Sequence, residues 1–248
     1  MTKGKSIMIA VAAFLAGAAG TALATGALTS TPQVSDAERA KIEAVVRDYI
    51  LTHPEIIPQA IEKLQNREVA KSIDTHRKAI ETPFASAWAG NPNGNATLAV
   101  FFDYACGFCR KSLPDIERLL KEDKNLKIVF RELPILSEDS EKAARVSLAA
   151  AEQGKFKHFH DALYASGRPS AAAVEKASRD VGLDARTVET AIGSEAVQNE
   201  IDSNVAVARS LGFSGTPSWV VGDQVLNGAV GYEALKEAIA EARKSSGD

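Results

Sequence analysis

The sequence predicts an α/β fold that carries an inserted helical block and is preceded by a helical N-terminal segment. Three observations lead there. Two strand-like apolar runs, Leu98 to Asp103 and Leu126 to Leu133, flank a helical pattern from Ser112 to Asp123. A stretch rich in alanine and charge follows, from Ser140 to Leu211, with Gly154, Gly167, Gly182 and Gly193 as breaks between helices. A late hairpin pattern then surrounds Gly222-Asp223, with strands at Ser218 to Val221 and Gln224 to Leu226 and a closing helix from Tyr232 to Arg243. A strand–helix–strand unit crosses over right-handed and makes its strands parallel, so the core is a sheet covered by helices.

The elements before this core have their own logic. Lys3 and Lys5 precede an apolar run from Ile7 to Ala19, and Ala22-Leu23-Ala24 offers small residues at a peptidase-compatible spacing. Residues 1–24 are therefore expected to be a signal peptide. Apolar character persists to Leu28, which leaves an uncleaved anchor open as the other reading. Either way the rest of the chain lies outside the cytoplasm, where disulfides persist.

Residues 25–80 read as a linker followed by helices. Ser35 and Glu38 form a capping box ahead of Ile42, Val45, Val46, Tyr49 and Ile50 at helical spacing. His53-Pro54 interrupts that helix, and Ile57, Ala60, Ile61 and Leu64 resume the period. The polar run from Gln65 to Lys78 keeps few apolar residues, so it is expected to bury little, as an exposed helix or a linker. The main domain is assigned to residues 81–248. It opens with a short strand at Phe84 to Ala89, and its helical insertion spans about residues 138–211.

The 248 residues are 45% hydrophobic and 25% charged, an ordinary globular balance, and the net charge of −3 offers no basic footprint for nucleic acid. Only two cysteines occur, Cys106 and Cys109, so no disulfide can tie distant segments together. They stand directly after a strand and open a helix. There the unpaired amides and the helix dipole favour a thiolate, which marks Cys106 as nucleophile and Cys109 as the resolving thiol. Such exchange needs no cofactor. A structural disulfide, half of a zinc site and a copper(I) pair are the rival readings. Zinc would need four ligands, and His158 and His160, two apart on a helix, do not converge on one metal. Copper(I) suits two soft thiolates and stays open as the alternative function.

Phe101-Phe102-Asp103-Tyr104-Ala105-Cys106-Gly107-Phe108-Cys109 with Pro114, and Gly215-Thr216-Pro217 before the late hairpin, resemble the redox junction and the cis-proline loop of the thioredoxin superfamily. The helical insertion resembles that of its DsbA branch. Ala37 to Leu64, with Tyr49-Ile50-Leu51 and His53-Pro54-Glu55, resembles the leader of ScsC-like members. The resemblance implies a thioredoxin-like fold and a periplasmic oxidase or isomerase acting on cysteine-containing exported proteins. It also implies recycling by a membrane redox partner and homo-oligomerisation through the leader. Thr216 and Pro217 would bind substrate beside Cys106. The pattern departs at Val100, where DsbA carries a buried acid, and at Gly107-Phe108, which replaces a Pro-His pair. Asp103 is then the nearest acid and the candidate proton relay.

Overall fold

The computed structural model describes residues 34–245; the expected signal segment and nearly all of the linker lie outside the described residues. Helix α1 spans Asp36–Thr52. Its capping box forms as expected: the Glu38 amide donates to Ser35 Oγ at 3.3 Å and the Ser35 amide donates to Glu38 Oε2 at 3.0 Å. No residue of α1 is buried.

Helix α2 runs unbroken over Ile56–Glu81. Gln65 to Lys78 is helical and mostly exposed, as expected, with Ile73 as its one buried residue. Ile73 and Ile80 are fully buried and pack with Phe101, Val129, Leu133 and Val220, with Val69 and Ala79 at the edge. Val69, Ile73 and Ile80 fall on one stripe of a 3.6-residue helix, so a few apolar side chains suffice while the charged majority faces water. The chain divides into two compact units between Ile61 and Glu62, so the second unit begins inside α2 and not at residue 81.

That second unit is built on a mixed five-stranded sheet in the order β1-β3-β2-β4-β5. The strands are β1 (Trp88–Gly90), β2 (Ala96–Phe102), β3 (Leu126–Glu132), β4 (Ser218–Val221) and β5 (Gln224–Asn227). Helix α3 (Gly107–Glu122) joins β2 to β3, which are parallel in a register from Ala96↔Leu126 to Phe102↔Glu132. β4 lies antiparallel to β2 and forms a hairpin with β5. Gly222 at its turn has φ +55°, and a Cβ there would come within 2.8 Å of the Ala242 Cβ, so both backbone and space demand glycine.

The helical insertion comprises α4 (Glu138–Glu152), α5 (Phe156–Ala165), α6 (Ala171–Asp180), α7 (Ala185–Ile192) and α8 (Glu195–Ser210). Ser137, Ser170, Asp184 and Ser194 cap four of these helices with their side-chain oxygens, satisfying amides that the first turn leaves orphaned. α9 (Tyr232–Ser245) closes the chain.

Alternation along the strands divides the core. Leu98, Val100, Phe102, Ile128 and Phe130 face the larger cluster, which α3, α5 and α9 complete. Ala99, Phe101 and Val129 face α2 and α8. The sheet is thus buried on both faces, and each fully buried Phe or Ile contributes about 1.5–3 kcal/mol by leaving water. This is the thioredoxin-like α/β arrangement with its helical insertion and N-terminal helical segment.

Candidate redox site

The site forms where β2 ends and α3 begins. Cys106 is the N-cap of α3, with extended backbone angles, and its Sγ accepts the Cys109 amide at 3.2 Å. A sulfur occupies the place where a serine or aspartate oxygen usually caps a helix, so negative charge on it is stabilised by the amide it receives. The thiol also lies 3.1 Å from the Thr216 carbonyl oxygen, to which it donates when protonated. Thr216–Pro217 is a cis peptide bond, as the sequence suggested, and Pro217 is buried at the start of β4.

The two thiols are electrostatically unequal. Cys106 is lowered to about 6, first by a hydrogen bond from the Cys109 thiol, then by Thr216 and by the Cys109 and Phe108 amides, against the cost of burial. Cys109 is pushed far up by burial and by its hydrogen bond to Cys106. At neutral pH the pair therefore holds one thiolate, on Cys106, with Cys109 as its proton-bearing neighbour. Gly107 and Phe108 between them are exposed, and Phe108 projects into solvent with 61% of its surface open.

Asp103 is buried, and backbone donors occupy its carboxylate. Oδ1 accepts the Ala105 amide at 2.7 Å, while Oδ2 accepts Ile135 at 2.9 Å and Leu136 at 3.0 Å. This geometry ties the loop after β3 to the redox junction and places the exposed Ile135 and Leu136 beside it. Val100 is buried between Phe130 of β3 and Trp219 of β4, an apolar contact at the position where DsbA carries its acid.

A second buried acid stands elsewhere, and sequence reasoning missed it. Glu132 ends β3 opposite Phe102, fully enclosed, and burial raises its carboxyl well above the usual range. It faces the Tyr104 and Ser147 hydroxyls. In Arg131-Glu132 the charges after an apolar run read as a strand leaving the core; only the pairing with β2 shows Glu132 kept inside. His160, dismissed above as a metal ligand, is a packing residue. It is 2% exposed and surrounded by Phe102, Phe130, Phe156 and Tyr164. The spacing of Phe156, Phe159, His160, Leu163 and Tyr164 marks one helical face, a pattern from which its burial was legible.

Among the described residues no cluster of three or more His, Cys, Asp or Glu side chains could hold a metal ion. No described helix is long and apolar enough to cross a membrane.

Comparison with known proteins agrees with this geometry. Residues 97–240, more than half of the chain, match the DSBA-like thioredoxin domain model. The chain belongs to the DsbA-like thioredoxin family. The matched span of this DsbA-like chain holds both cysteines, the helical insertion and Thr216-Pro217. Residues 38–71 match the "Copper resistance protein ScsC N-terminal domain".

A thioredoxin-like oxidoreductase from Silicibacter pomeroyi DSS-3 is 40% identical, with a TM-score of 0.65 over 68% of this chain and 98% of that one. A linker-deletion mutant of Proteus mirabilis ScsC is 25% identical, with a TM-score of 0.67 over 87% of this chain and 100% of that one. A periplasmic thioredoxin-like protein from Salmonella enterica serovar Typhimurium is 25% identical, with a TM-score of 0.61 over 68% of this chain and 95% of that one. A 155-residue segment is also 28% identical to part of the Na(+)/H(+) antiporter NhaA 3 of Salinispora tropica, and the chain spans about a quarter of the length of the curated relatives it matches.

Proposed function

We propose that this chain works in the periplasm as a dithiol–disulfide oxidoreductase that forms or isomerises disulfides in exported, cysteine-containing proteins. The observation that carries the reading is the unequal thiol pair. Cys106, at the helix N-cap, is a thiolate near neutral pH, and Cys109 is a buried thiol one helical turn away. Cys106 attacks a client disulfide, and the client is held as a mixed disulfide. Cys109 then resolves it by closing the Cys106–Cys109 bond, which releases a reduced client free to re-pair its cysteines; in disulfide formation the same steps run in reverse, from the oxidised pair. Thr216 and Pro217 flank the nucleophile and bind the client backbone there. Export by the 1–24 segment supports the compartment, as does the likeness to a periplasmic thioredoxin-like protein. A membrane redox partner resets the pair after each cycle.

The leader supports self-association. Apart from Phe108, Ile135 and Leu136 at the redox end, every exposed large apolar residue among the described residues lies between Val34 and Leu64. Ile42, Val45, Val46 and Tyr49 share one face of α1, and Ile57, Ile61 and Leu64 share one face of α2. A second copy of the same stripe is the partner that removes this surface from water in a homo-oligomer.

The test is turnover on a scrambled-disulfide protein. Wild type is expected to reshuffle or reduce it, Cys106→Ser to lose activity and Cys109→Ser to accumulate mixed disulfides. Full activity in Cys106→Ser contradicts the proposal. Stoichiometric copper(I) binding with no turnover supports the copper reading instead. Thiol trapping in cells gives the direction: a mostly oxidised pair indicates an oxidase and a mostly reduced one an isomerase or reductase.

A further inference from the structure

Resolution by Cys109 poses a problem that the thiol pair does not solve alone. Cys109 is 4% exposed, and its proton has to leave before its sulfur can attack. Asp103, the acid nearest in sequence, already accepts three backbone amides. Cys109 and His160 line one small pocket of about 10 Å³ together with Tyr164, Pro217 and Trp219, room for a single water at most.

The His160 ring is connected at one nitrogen. Nδ1 lies 3.3 Å from the Tyr104 hydroxyl, which lies 2.8 Å from Ser147 Oγ. Nε2 is buried with no hydrogen-bond partner among the described residues, and the buried Glu132 carboxyl faces the Tyr104 and Ser147 hydroxyls. A buried imidazole nitrogen left unpaired is costly as pure packing, and the Tyr104 hydroxyl joins the same ring to a buried carboxyl. Together they form the ends of a path.

We propose that His160 takes the proton of Cys109 during resolution of the mixed disulfide and passes it, through Tyr104, to Glu132. The inference rests on the dithiol reading above. In the step, the Cys109 S–H proton goes to Nε2 while the Nδ1 proton moves to the Tyr104 oxygen and the Tyr104 proton moves to the Glu132 carboxylate. The Cys109 sulfur attacks Cys106, forming the Cys106–Cys109 bond and breaking the Cys106–client bond. The client sulfur leaves with the electron pair as a thiolate and is protonated by solvent. The thiol pair is oxidised and the client is reduced.

His160 changes tautomer without becoming a cation, which suits a ring enclosed by aromatic side chains whose imidazolium is disfavoured by burial first and by Lys157 second. The charged and titratable neighbours of the path are Asp161, near Tyr104, and Asp103 and Glu200, near Glu132; Tyr164 adjoins both cysteines. The two acids beside Glu132 oppose its ionisation, so its carboxylate form, the one that accepts the proton, grows with rising pH.

The experiment uses the reduced full-length chain and dithionitrobenzoate in stopped flow. The first thionitrobenzoate released reports attack by Cys106, and the second reports resolution by Cys109. In His160→Phe, which keeps an aromatic ring and removes both nitrogens, the first phase is expected to match wild type. The second is expected to be at least about 10-fold slower, the scale of a lost proton-transfer group. In wild type the second phase rises with pH through the Glu132 titration, and Glu132→Gln removes that dependence. A second phase within about twofold of wild type in folded His160→Phe overturns the proposal. Should that variant fail to fold, an unchanged pH profile in Glu132→Gln overturns it equally. Absence of the first phase in wild type would strike at the dithiol reading itself, a different result from loss of the second.

Discussion

The Cys109 amide donates to the Cys106 sulfur at 3.2 Å, so the resolving cysteine helps to hold its partner as an anion. Because Cys106 is depressed in the folded state, the direction of its linkage to stability follows. An unperturbed thiol titrates at about 8.5. The thiolate therefore stabilises the reduced fold fully above about pH 8.5, and the contribution fades as pH falls toward the folded value of about 6. Thermal melts of reduced wild type and Cys106→Ser from pH 5 to 8.5 check this. The wild-type advantage should widen as pH rises, and an advantage that narrows is the contrary result.

Asp103 acts as a brace. Asp103→Ala leaves the Ala105, Ile135 and Leu136 amides without their acceptor and should cost about 2–4 kcal/mol in urea unfolding. Asp103→Asn keeps one oxygen but turns an NH2 group against a backbone donor, so it should fall between. A cost near zero for Asp103→Ala would show that the loop after β3 holds itself.

Ile73 and Ile61 lie on the same helix with opposite surroundings: Ile73 is fully buried and Ile61 is 51% exposed. Ile73→Ala should destabilise the fold by about 2–5 kcal/mol. Ile61→Asp should leave the melt of the main unit nearly unchanged and lower the sedimentation mass by breaking self-association. The reverse pattern would return the lower half of α2 to the role of an exposed linker.

The ease with which each part was read from sequence follows from how local its cause is. The βαβ unit, the hairpin at Gly222-Asp223, the capping box at Ser35 and the helical block depend on patterns within a few residues, and they appear close to the expected positions. The placement of Cys106 at a helix start is of the same kind. Burial of Ile73 and Glu132 depends on which distant surface arrives: β2 and α8 for the one, Phe102 and Ser147 for the other. Periodicity shows that a stripe exists and not what covers it. Asp103 lies just past the end of β2, so strand alternation carried no information about the backbone amides it would meet.

The central claim is that Cys106 alone is the ready nucleophile, and alkylation by iodoacetamide tests it most directly. Reduced wild-type protein is labelled across pH 4 to 9 and each modified cysteine is located by mass spectrometry. Labelling should fall on Cys106 with a midpoint near 6, with Cys109 unmodified throughout. Equal labelling of both thiols, or a midpoint at the ordinary value of about 8.5, would contradict the account.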